Sequence, residues 1–526
     1  INLFSIISLV FISLINAGGQ SFEINERLIW ESPAEPQHGH FLLSFEGAVN
    51  HDSLGFLPVF QTTVPGEKRV DLSQTEFTEA IYEPVFINEM NSFPDLDLIQ
   101  TEPRMLISSI TSRKVTRQVF SLLPLRKSSD GTGFEKLVSF RINIVFSDES
   151  LTNSNRSGSE RSFAEHSVLI TGDWYRISVK ETGVHKISYQ GLESMGIDPA
   201  ALNPKNIRIY GNGSGMLEES NAISRPDDLL ENAIFISGES DGSFDTQDYI
   251  LFYGEGPVVV KYNPFYLQYE HELNFYTDET FYFLTIGNTP GKRLEEAGPV
   301  TGEPTHEVNK FQDMAYHEKE MLNLVKSGKI WYGETFNTQL EYIFPFELKG
   351  LDNTQPVTAK INLAGRSTTK TVFEFYADGT LVEEFDVPSV LFGTQVYARS
   401  IVSNYESFYT DDEQLNIGLT FVKPAATDIG WLNFIALNYF RHLNFAGGQM
   451  NFRDIGSVGT GNIARYHIQT GLQGIQLWDV TDQGSLIEYD LMSENGGYQF
   501  KADANTLTAF VIFDGSMFFT PEFVEK

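Results

Sequence analysis

Short apolar runs, each long enough for one β-strand, recur along the whole sequence and constrain its fold more than any other feature. They are rich in Val, Ile, Phe and Tyr, and glycines and carboxylates separate them. In residues 136–146, for example, apolar side chains occupy every second position from Val138 to Phe146, which is the period of a half-buried strand. The pattern therefore predicts a mainly β protein with few helices.

The length of the chain predicts several domains, because 526 residues exceed the size of one ordinary domain. Recurrent short strands and turns predict a C-terminal immunoglobulin-like β-sandwich. Polar, Ser-rich sequence without apolar periodicity predicts a linker. We expect a β domain at 20–146, the linker at 147–164, a second β-rich domain at 165–300, a helix and connector at 301–336, and the sandwich at 337–515.

Two segments have helical patterns. A short helix is predicted at Tyr189–Met195, with Ser188 as its N-terminal cap and Gly196 at its end. The longer helix is predicted at Asn309–Lys326 and ends before Gly328. We interpret its apolar face as a packing surface rather than a partner site. The apolar residues of that face are Phe311, Met314, Met321, Leu322 and Val325.

The charge of the chain excludes one class of partner. Asp and Glu number 70 and Lys and Arg 37, which gives a net charge of −33. Because so acidic a protein repels phosphates, we expect no nucleic-acid partner. The chain also has no cysteine, which rules out disulfides, thiolate metal sites and a cysteine nucleophile among these residues.

The first residues are typical of an export signal. Leu3–Ile15 form an apolar run, and the small residues near Ala17 suit cleavage by a signal peptidase. The run is too short to span a bilayer comfortably. We therefore expect residues 1–17 to be a signal peptide that begins upstream of Ile1, and we expect the protein to be exported.

A glycine-rich loop follows the apolar run Ile207–Tyr210 and invites a nucleotide-binding interpretation. Gly211, Gly213 and Gly215 form a G-x-G-x-G pattern directly after this predicted strand. A phosphate loop requires the N-terminus of a helix immediately afterwards. Met216–Glu219 follow instead, and their two carboxylates repel an anion. The pattern therefore favours a turn with positive φ angles.

An acidic loop lies between two further apolar runs, 233–236 and 249–253. Its carboxylates Asp241, Asp245 and Asp248 are candidates for a Ca²⁺ site, because this hard cation prefers several oxygen ligands. Their spacing differs from that of an EF-hand. The alternative is an Asx-rich turn whose carboxylates accept hydrogen bonds from backbone N–H groups. The sequence predicts no other cofactor.

No group of residues in the sequence predicts a catalytic site. His38-Gly39-His40 could bind a metal, but two histidines without a third ligand are usually only exposed. His271-Glu272 and His317-Glu318 begin the zinc-protease motif, yet Phe275 and Met321 stand where the second histidine is required. Adjacent carboxylates arise freely in so acidic a chain and indicate a solvated surface.

Seven stretches, in order, resemble the N-terminal, non-catalytic region of the PorU-type sortases of the type IX secretion system, which are related to the gingipain cysteine peptidases. The stretches cover most of the chain after His166. They are Gly172–Leu192, Ile207–Leu217, Asp227–Pro257, Ser327–Phe336, Trp431–Leu443, Phe452–Ile468 and Leu477–Asp482. Residues 20–146 resemble the family more weakly.

The resemblance implies a scaffold or docking region of a larger enzyme. In this family a cysteine peptidase domain follows the β-sandwich, removes C-terminal sorting signals from exported cargo and attaches the cargo to surface lipopolysaccharide. It is held at the outer face of the outer membrane by a β-barrel partner. We expect residues 516–526 to begin that catalytic domain, so no catalytic residue of the family can be assigned here.

A second hypothesis is a stand-alone extracellular adhesin or glycan-binding β-sandwich protein. Sugars commonly stack on exposed aromatic rings, and a binding face of this kind would expose its aromatic residues to solvent. Trp431 and Trp478 are the candidate platforms for such a ligand.

Overall fold

The structure is a computed structural model, and strands account for 52% of it and helices for 4%. The predicted mainly β, multidomain fold is confirmed. Within the described part of the chain, no helix is both long enough and apolar enough to span a bilayer. The described residues are 21–30, 44–49, 57–64, 68–72, 74–85, 99–112, 115–128, 133–150, 164–217, 225–264, 266–326, 328–390, 396–403 and 405–526.

The chain divides into two compact units, residues 1–162 and 163–526. The predicted signal peptide (1–17) and His38-Gly39-His40 lie outside the described residues. The first unit contains the following strands: β1 (Ser21–Arg27), β2 (Phe60–Val64), β3 (Lys68–Val70), β4 (Glu76–Val85), β5 (Met105–Ser112), β6 (Val115–Leu122), β7 (Leu125–Lys127) and β8 (Phe134–Ser150).

Strand β8 organises the first unit, because β1, β3, β4 and β7 all pair with it. A second sheet has the order β2-β6-β5. Phe140, Ile142 and Ile144 of β8 are buried at alternate positions, as the period-2 pattern predicts. The predicted linker begins later than residue 147, since pairing with β3 continues β8 to Ser150. Residues 151–163 lie outside the described part.

The second unit begins with a module of short strands. Ser188 caps the helix α1 (Tyr189–Ser194), where its hydroxyl accepts a hydrogen bond from the N–H of Gly191, so the short helix is confirmed. Residues 174–308 form the strands β9 (Trp174–Val179), β10 (Gly183–Ser188), β11 (Ile207–Tyr210), β12 (Glu231–Asn232), β13 (Phe235–Ser237), β14 (Tyr249–Gly254), β15 (Val259–Asn263), β16 (Gln268–Glu272), β17 (Thr280–Ile286), β18 (Glu295–Glu296) and β19 (His306–Val308).

A β-sandwich follows in the sequence. One sheet has the order β20-β29-β23-β26, with β21 and β27 at its margins, and the other has the order β22-β28-β24-β25. A large core of aromatic and branched side chains fills the space between them. The strands are β20 (Lys310–Glu318), β21 (Thr335–Phe336), β22 (Glu341–Glu347), β23 (Val357–Arg366), β24 (Thr371–Ala377), β25 (Thr380–Val387), β26 (Arg399–Val402), β27 (Glu406–Phe408), β28 (Gln414–Val422) and β29 (Ile429–His442).

The predicted helix at Asn309–Lys326 is wrong. Lys310–Glu318 form strand β20, which pairs antiparallel with β29 along its whole length. β29 is long and largely buried, so its backbone N–H and C=O groups require a partner strand. This requirement outweighs the weak helical preference of the segment. Met321, Leu322 and Val325 of the predicted apolar face are exposed, so the packing interpretation is also wrong for them.

The sandwich also occupies a different part of the sequence, residues 310–442 instead of 337–515. The strands after residue 449 have a hydrophobic core of their own and pair with β18 and β19 from upstream. Alternation alone cannot show which sheet a strand joins. These strands are β30 (Gln449–Phe452), β31 (Ile463–Gln469), β32 (Gln476–Asp479), β33 (Ile487–Glu488), β34 (Met492–Glu494), β35 (Gly497–Asp503) and β36 (Phe510–Phe513). The last strand, β37 (Glu522–Glu525), follows them in the sequence but joins another sheet.

The strands of the second unit therefore form three modules: a first module (β9–β17 with α1), the sandwich, and a third module (β30–β36). The first and third modules share one buried cluster, in which Leu251 and Tyr253 accompany Trp478 and Val511. Strand β37 returns to the first module, where the sheet order is β12-β11-β17-β9-β37. The residues predicted to open a further domain thus belong partly to this unit.

Candidate functional sites

The carboxylates of the acidic loop interact with the backbone of their own loop. An Asp241 carboxylate oxygen accepts a hydrogen bond from the N–H of Ser243 at 2.9 Å, and Asp248 accepts one from the N–H of Asp245 at 2.7 Å. Gly238 lies directly beneath the Asp248 carboxylate. Among the described residues, no group of three or more His, Asp or Glu side chains is arranged to hold a metal ion. The geometry supports the turn interpretation over calcium ligation.

The glycine-rich loop is a turn, as the sequence predicts. Gly213 and Gly215 have φ angles of 71° and 96°, which favour glycine. The N–H of Ser214 donates a hydrogen bond to a carboxylate oxygen of Glu255 at 3.0 Å. A protein carboxylate thus occupies the position that a phosphate oxygen would need. Gly211 lies against the ring of Tyr282, where a Cβ atom would come within 2.4 Å of it.

The two His-Glu dipeptides lie on strands β16 and β20 and bind carboxylates rather than a common metal. Nε2 of His271 is 2.6 Å from Oε2 of Glu318, and the two side chains are 3% and 11% exposed. Nε2 of His317 is 3.1 Å from Oε1 of Glu334, as is the Lys319 ammonium. Burial opposes ionisation of Glu334, but hydrogen bonds from His317 and Lys319 outweigh it and lower its pKa to about 2.

A central cavity of about 350 Å³ lies where the three modules meet. Its polar groups join the modules to one another. The Arg453 guanidinium donates a hydrogen bond to the C=O of Val260 at 3.1 Å. Asn451 accepts a hydrogen bond from the Tyr253 hydroxyl at 3.0 Å and donates one to the C=O of Thr182. Because its polar groups are paired in this way, the cavity is best described as part of the joint between modules.

The hairpin of β15 and β16 forms a second joint. It extends from the first module onto the sandwich, where the side-chain amide of Asn438 binds both backbone groups of Tyr269. The Lys360 ammonium contacts the Glu270 carboxylate and the rings of Tyr266 and Tyr405. These contacts fix the position of the first module on the sandwich.

The sandwich carries an apolar groove of about 380 Å³, lined by residues of segments 324–332 and 396–400. Leu322 and Tyr332 form a bridge in which each N–H donates to the other's C=O at 2.9 Å, so segment 321–332 turns back on itself. Tyr332 is buried with Trp431 beneath the groove. Val325 and Ile330, which line the groove, are 62% and 54% exposed.

The predicted glycan platforms are wrong. Trp431 and Trp478 are 2% and 0% exposed and belong to hydrophobic clusters. A ring that sugars are to stack on must be accessible to solvent. The sequence could not reveal this, because a tryptophan in a buried strand and one on a binding face have the same local pattern.

A comparison with solved structures identifies a protein of similar fold. The crystal structure of dimeric latent PorU from Porphyromonas gingivalis has a TM-score of 0.60 and 19% sequence identity, and the alignment covers 69% of this chain. The chain has a PorU-like fold. It spans about a third of the PorU chain, 34% of that chain's length. The seven stretches that resemble the family all lie in the second unit, residues 163–526.

Other comparisons add no relative. No protein-family model and no curated protein matches the sequence. A BuGH86 structure in complex with neoagarooctaose has a TM-score of 0.15 at 11% identity, over 51% of this chain and 31% of that one. An insecticidal delta-endotoxin from Bacillus thuringiensis has a TM-score of 0.19 at 9% identity, over 66% and 61%. At these TM-scores the similarity does not extend to the overall fold.

Proposed function

We propose that the chain is the non-catalytic scaffold and docking region of a type IX secretion sortase of the PorU type. The observation that carries this proposal is the PorU-like fold, at a TM-score of 0.60 over 69% of the chain. The ordered sequence stretches in the second unit support it independently. The lack of cysteine also agrees, because a thiolate nucleophile must then come from another part of the enzyme.

In this proposal the parent enzyme is a gingipain-like cysteine endopeptidase and transpeptidase. It removes C-terminal sorting signals from secreted cargo and attaches the cargo to surface lipopolysaccharide. The residues described here supply architecture. The shared core of the first and third modules and the hairpin on the sandwich hold three modules in one arrangement. Such rigidity suits a region that must position a catalytic domain.

We further propose that the protein is exported and works at the outer face of the outer membrane, bound to a β-barrel partner. The apolar run Leu3–Ile15 supports export. The net charge of −33 disfavours a nucleic-acid partner.

Two experiments test the proposal: sequencing of the gene and mass spectrometry of the secreted cargo. Reading the gene past the codon for Lys526 is expected to show a domain with a Cys nucleophile and a His base. In the native host, an in-frame deletion of residues 163–526 is expected to leave the C-terminal sorting signal on secreted cargo, as mass spectrometry would show. An alanine variant of the downstream cysteine is the matched control, and it should give the same cargo mass.

Two results would overturn the proposal. One is a reading frame without such a domain together with normal cargo processing in the deletion strain. The other is hydrolysis of a peptide substrate by the purified 526-residue chain alone. An immunoblot of the surface fraction establishes that the remaining protein is made and exported, so loss of processing is not mistaken for loss of the protein.

A further inference from the structure

The apolar groove has an unusual charge for this protein. Segments 324–332 and 396–400, whose residues line the groove, contain Lys326 and Lys329 and no carboxylate, although the chain as a whole has a net charge of −33. Arg366 adds a third cation, since its guanidinium lies 4.5 Å from the centre of the Tyr397 ring at the groove. A cationic margin around an apolar floor favours a ligand that is apolar at its centre and acidic at its ends.

The groove also lies beside the end of a sheet. Within the described residues, β26 pairs with β23 on one side and has no ladder on the other. Ser400 of β26 lines the groove. The open edge of a strand presents N–H and C=O groups to which an extended segment can bind. The shape of the site therefore fits a peptide in extended conformation.

A membrane surface fits the groove less well. A planar bilayer cannot fill a concave site of about 380 Å³. Lys326 and Lys329 are exposed in the same turn as Val325 and Ile330, so a membrane that took up the two apolar side chains would also meet both ammonium groups. Burying an ammonium group in hydrocarbon is costly.

A second copy of the chain also fits less well. In a symmetric dimer the same surface contacts itself, so Lys326 and Lys329 would face their own counterparts. Two chains of net charge −33 also repel one another at long range.

We propose that the apolar groove binds an extended acidic segment of a protein partner, with one apolar side chain of that segment in the groove and its backbone along β26. Carboxylates of the segment then lie near Lys326, Lys329 and Arg366. The inference rests on the groove alone and does not depend on the proposed function. It predicts a docking surface on the sandwich, distinct from the joints between modules.

Fluorescence anisotropy with defined peptides tests the proposal. The probe is fluorescein-labelled Asp-Glu-Asp-Val-Phe-Val-Asp-Glu-Asp, and the purified chain is titrated into it. We expect saturable binding that weakens as salt is raised. A peptide with Lys in place of every acidic residue, and a peptide with Ser in place of Phe, are each expected to bind at least about tenfold more weakly.

Variants of the chain locate the binding surface. Ile330→Asp and Val325→Asp place a charge at exposed positions, so both should fold, and each is expected to weaken binding about tenfold or more. The double variant Lys326→Glu/Lys329→Glu should reduce both the affinity and its dependence on salt. Leu381→Asp is the matched control, because Leu381 is 48% exposed on the other sheet, and it should bind the probe normally.

Several results would overturn the proposal. One is that the acidic probe does not bind at millimolar concentrations of the chain. Another is that the lysine peptide binds with the same affinity as the acidic probe. If Leu381→Asp loses as much affinity for the probe as the groove variants do, the groove is not the binding site. Sedimentation with phosphatidylglycerol vesicles that is lost in Ile330→Asp, without peptide binding, would assign the groove to lipid instead. A groove-dependent dimer in analytical ultracentrifugation, again without peptide binding, would assign it to self-association.

Discussion

One amide side chain makes two of the buried hydrogen bonds in the joint between the first module and the sandwich. Asn438 is 1% exposed in β29. Its Oδ1 accepts a hydrogen bond from the N–H of Tyr269 at 2.7 Å, and its Nδ2 donates one to the C=O of Tyr269 at 2.9 Å. An amide matches both groups at once because it carries one donor and one acceptor side by side. We predict that Asn438→Ala loosens the hairpin of β15 and β16.

The size of the effect follows from the two backbone groups left without partners. A buried donor or acceptor that loses its partner costs about 1–3 kcal/mol. Two such groups give about 2–4 kcal/mol, allowing for partial rearrangement around Tyr269. Because about 1.4 kcal/mol corresponds to a factor of ten, hydrogen exchange of the hairpin amides should accelerate at least about thirtyfold.

Hydrogen exchange measured by mass spectrometry provides the assay. Peptides covering β15 and β16 should exchange faster in Asn438→Ala, while peptides covering β24 and β25 should keep their wild-type rates. Asn444→Ala is the matched control, because Asn444 is exposed, and it should leave both regions unchanged. If the exchange rate of the hairpin amides changes less than about threefold, well below the lower estimate, the reasoning is refuted. Equal acceleration in the control would do so as well.

Three further predictions concern single positions. Gly211→Ala drives a methyl group into the Tyr282 ring and should cost about 1–3 kcal/mol in chemical denaturation, whereas Gly298→Ala, which meets open space, should be neutral. Burial lowers the pKa of His185 to about 4 from 6.5. The neutral imidazole therefore contributes fully to the free energy of unfolding above pH 6.5, and this contribution is lost as pH falls towards 4. The free energy of unfolding should fall by about 3 kcal/mol over this pH range in chemical denaturation, and His185→Leu should abolish the pH dependence. Trp331→Phe should reduce the iodide-quenchable fluorescence, whereas Trp431→Phe should leave it unchanged, because Trp331 is 38% exposed and Trp431 is 2% exposed.

Local features of the chain are visible in the sequence. The apolar runs at 207–210 and 249–253 form strands β11 and β14 nearly to the residue. The helix at Tyr189 begins at its Ser188 cap, and the alternation in 136–146 gives the buried face of β8. Each of these depends on interactions between residues close in sequence, which propensity and periodicity describe well.

Features that depend on distant residues are not visible in the same way. Residues 310–318 become a strand only because β29, more than a hundred residues later, requires a partner. The bond between His271 and Glu318 joins two strands that no local motif connects. The apolar groove likewise combines segments 324–332 and 396–400. An exposed apolar residue and a buried one look alike until the sheet that covers them is known.

The path of the last residues bears on how a scaffold of this kind would work. After β36, the backbone of Phe519 bonds to Val184 and Lys186, and β37 then pairs with β9. The chain therefore leaves the third module and returns to the first. In the proposed function a catalytic domain after β37 would be attached to the first module, whereas the apolar groove belongs to the sandwich. Partner docking and catalysis would then use separate modules, and the Asn438 joint would set their relative position. Loosening that joint should disturb cargo processing without weakening peptide binding at the groove.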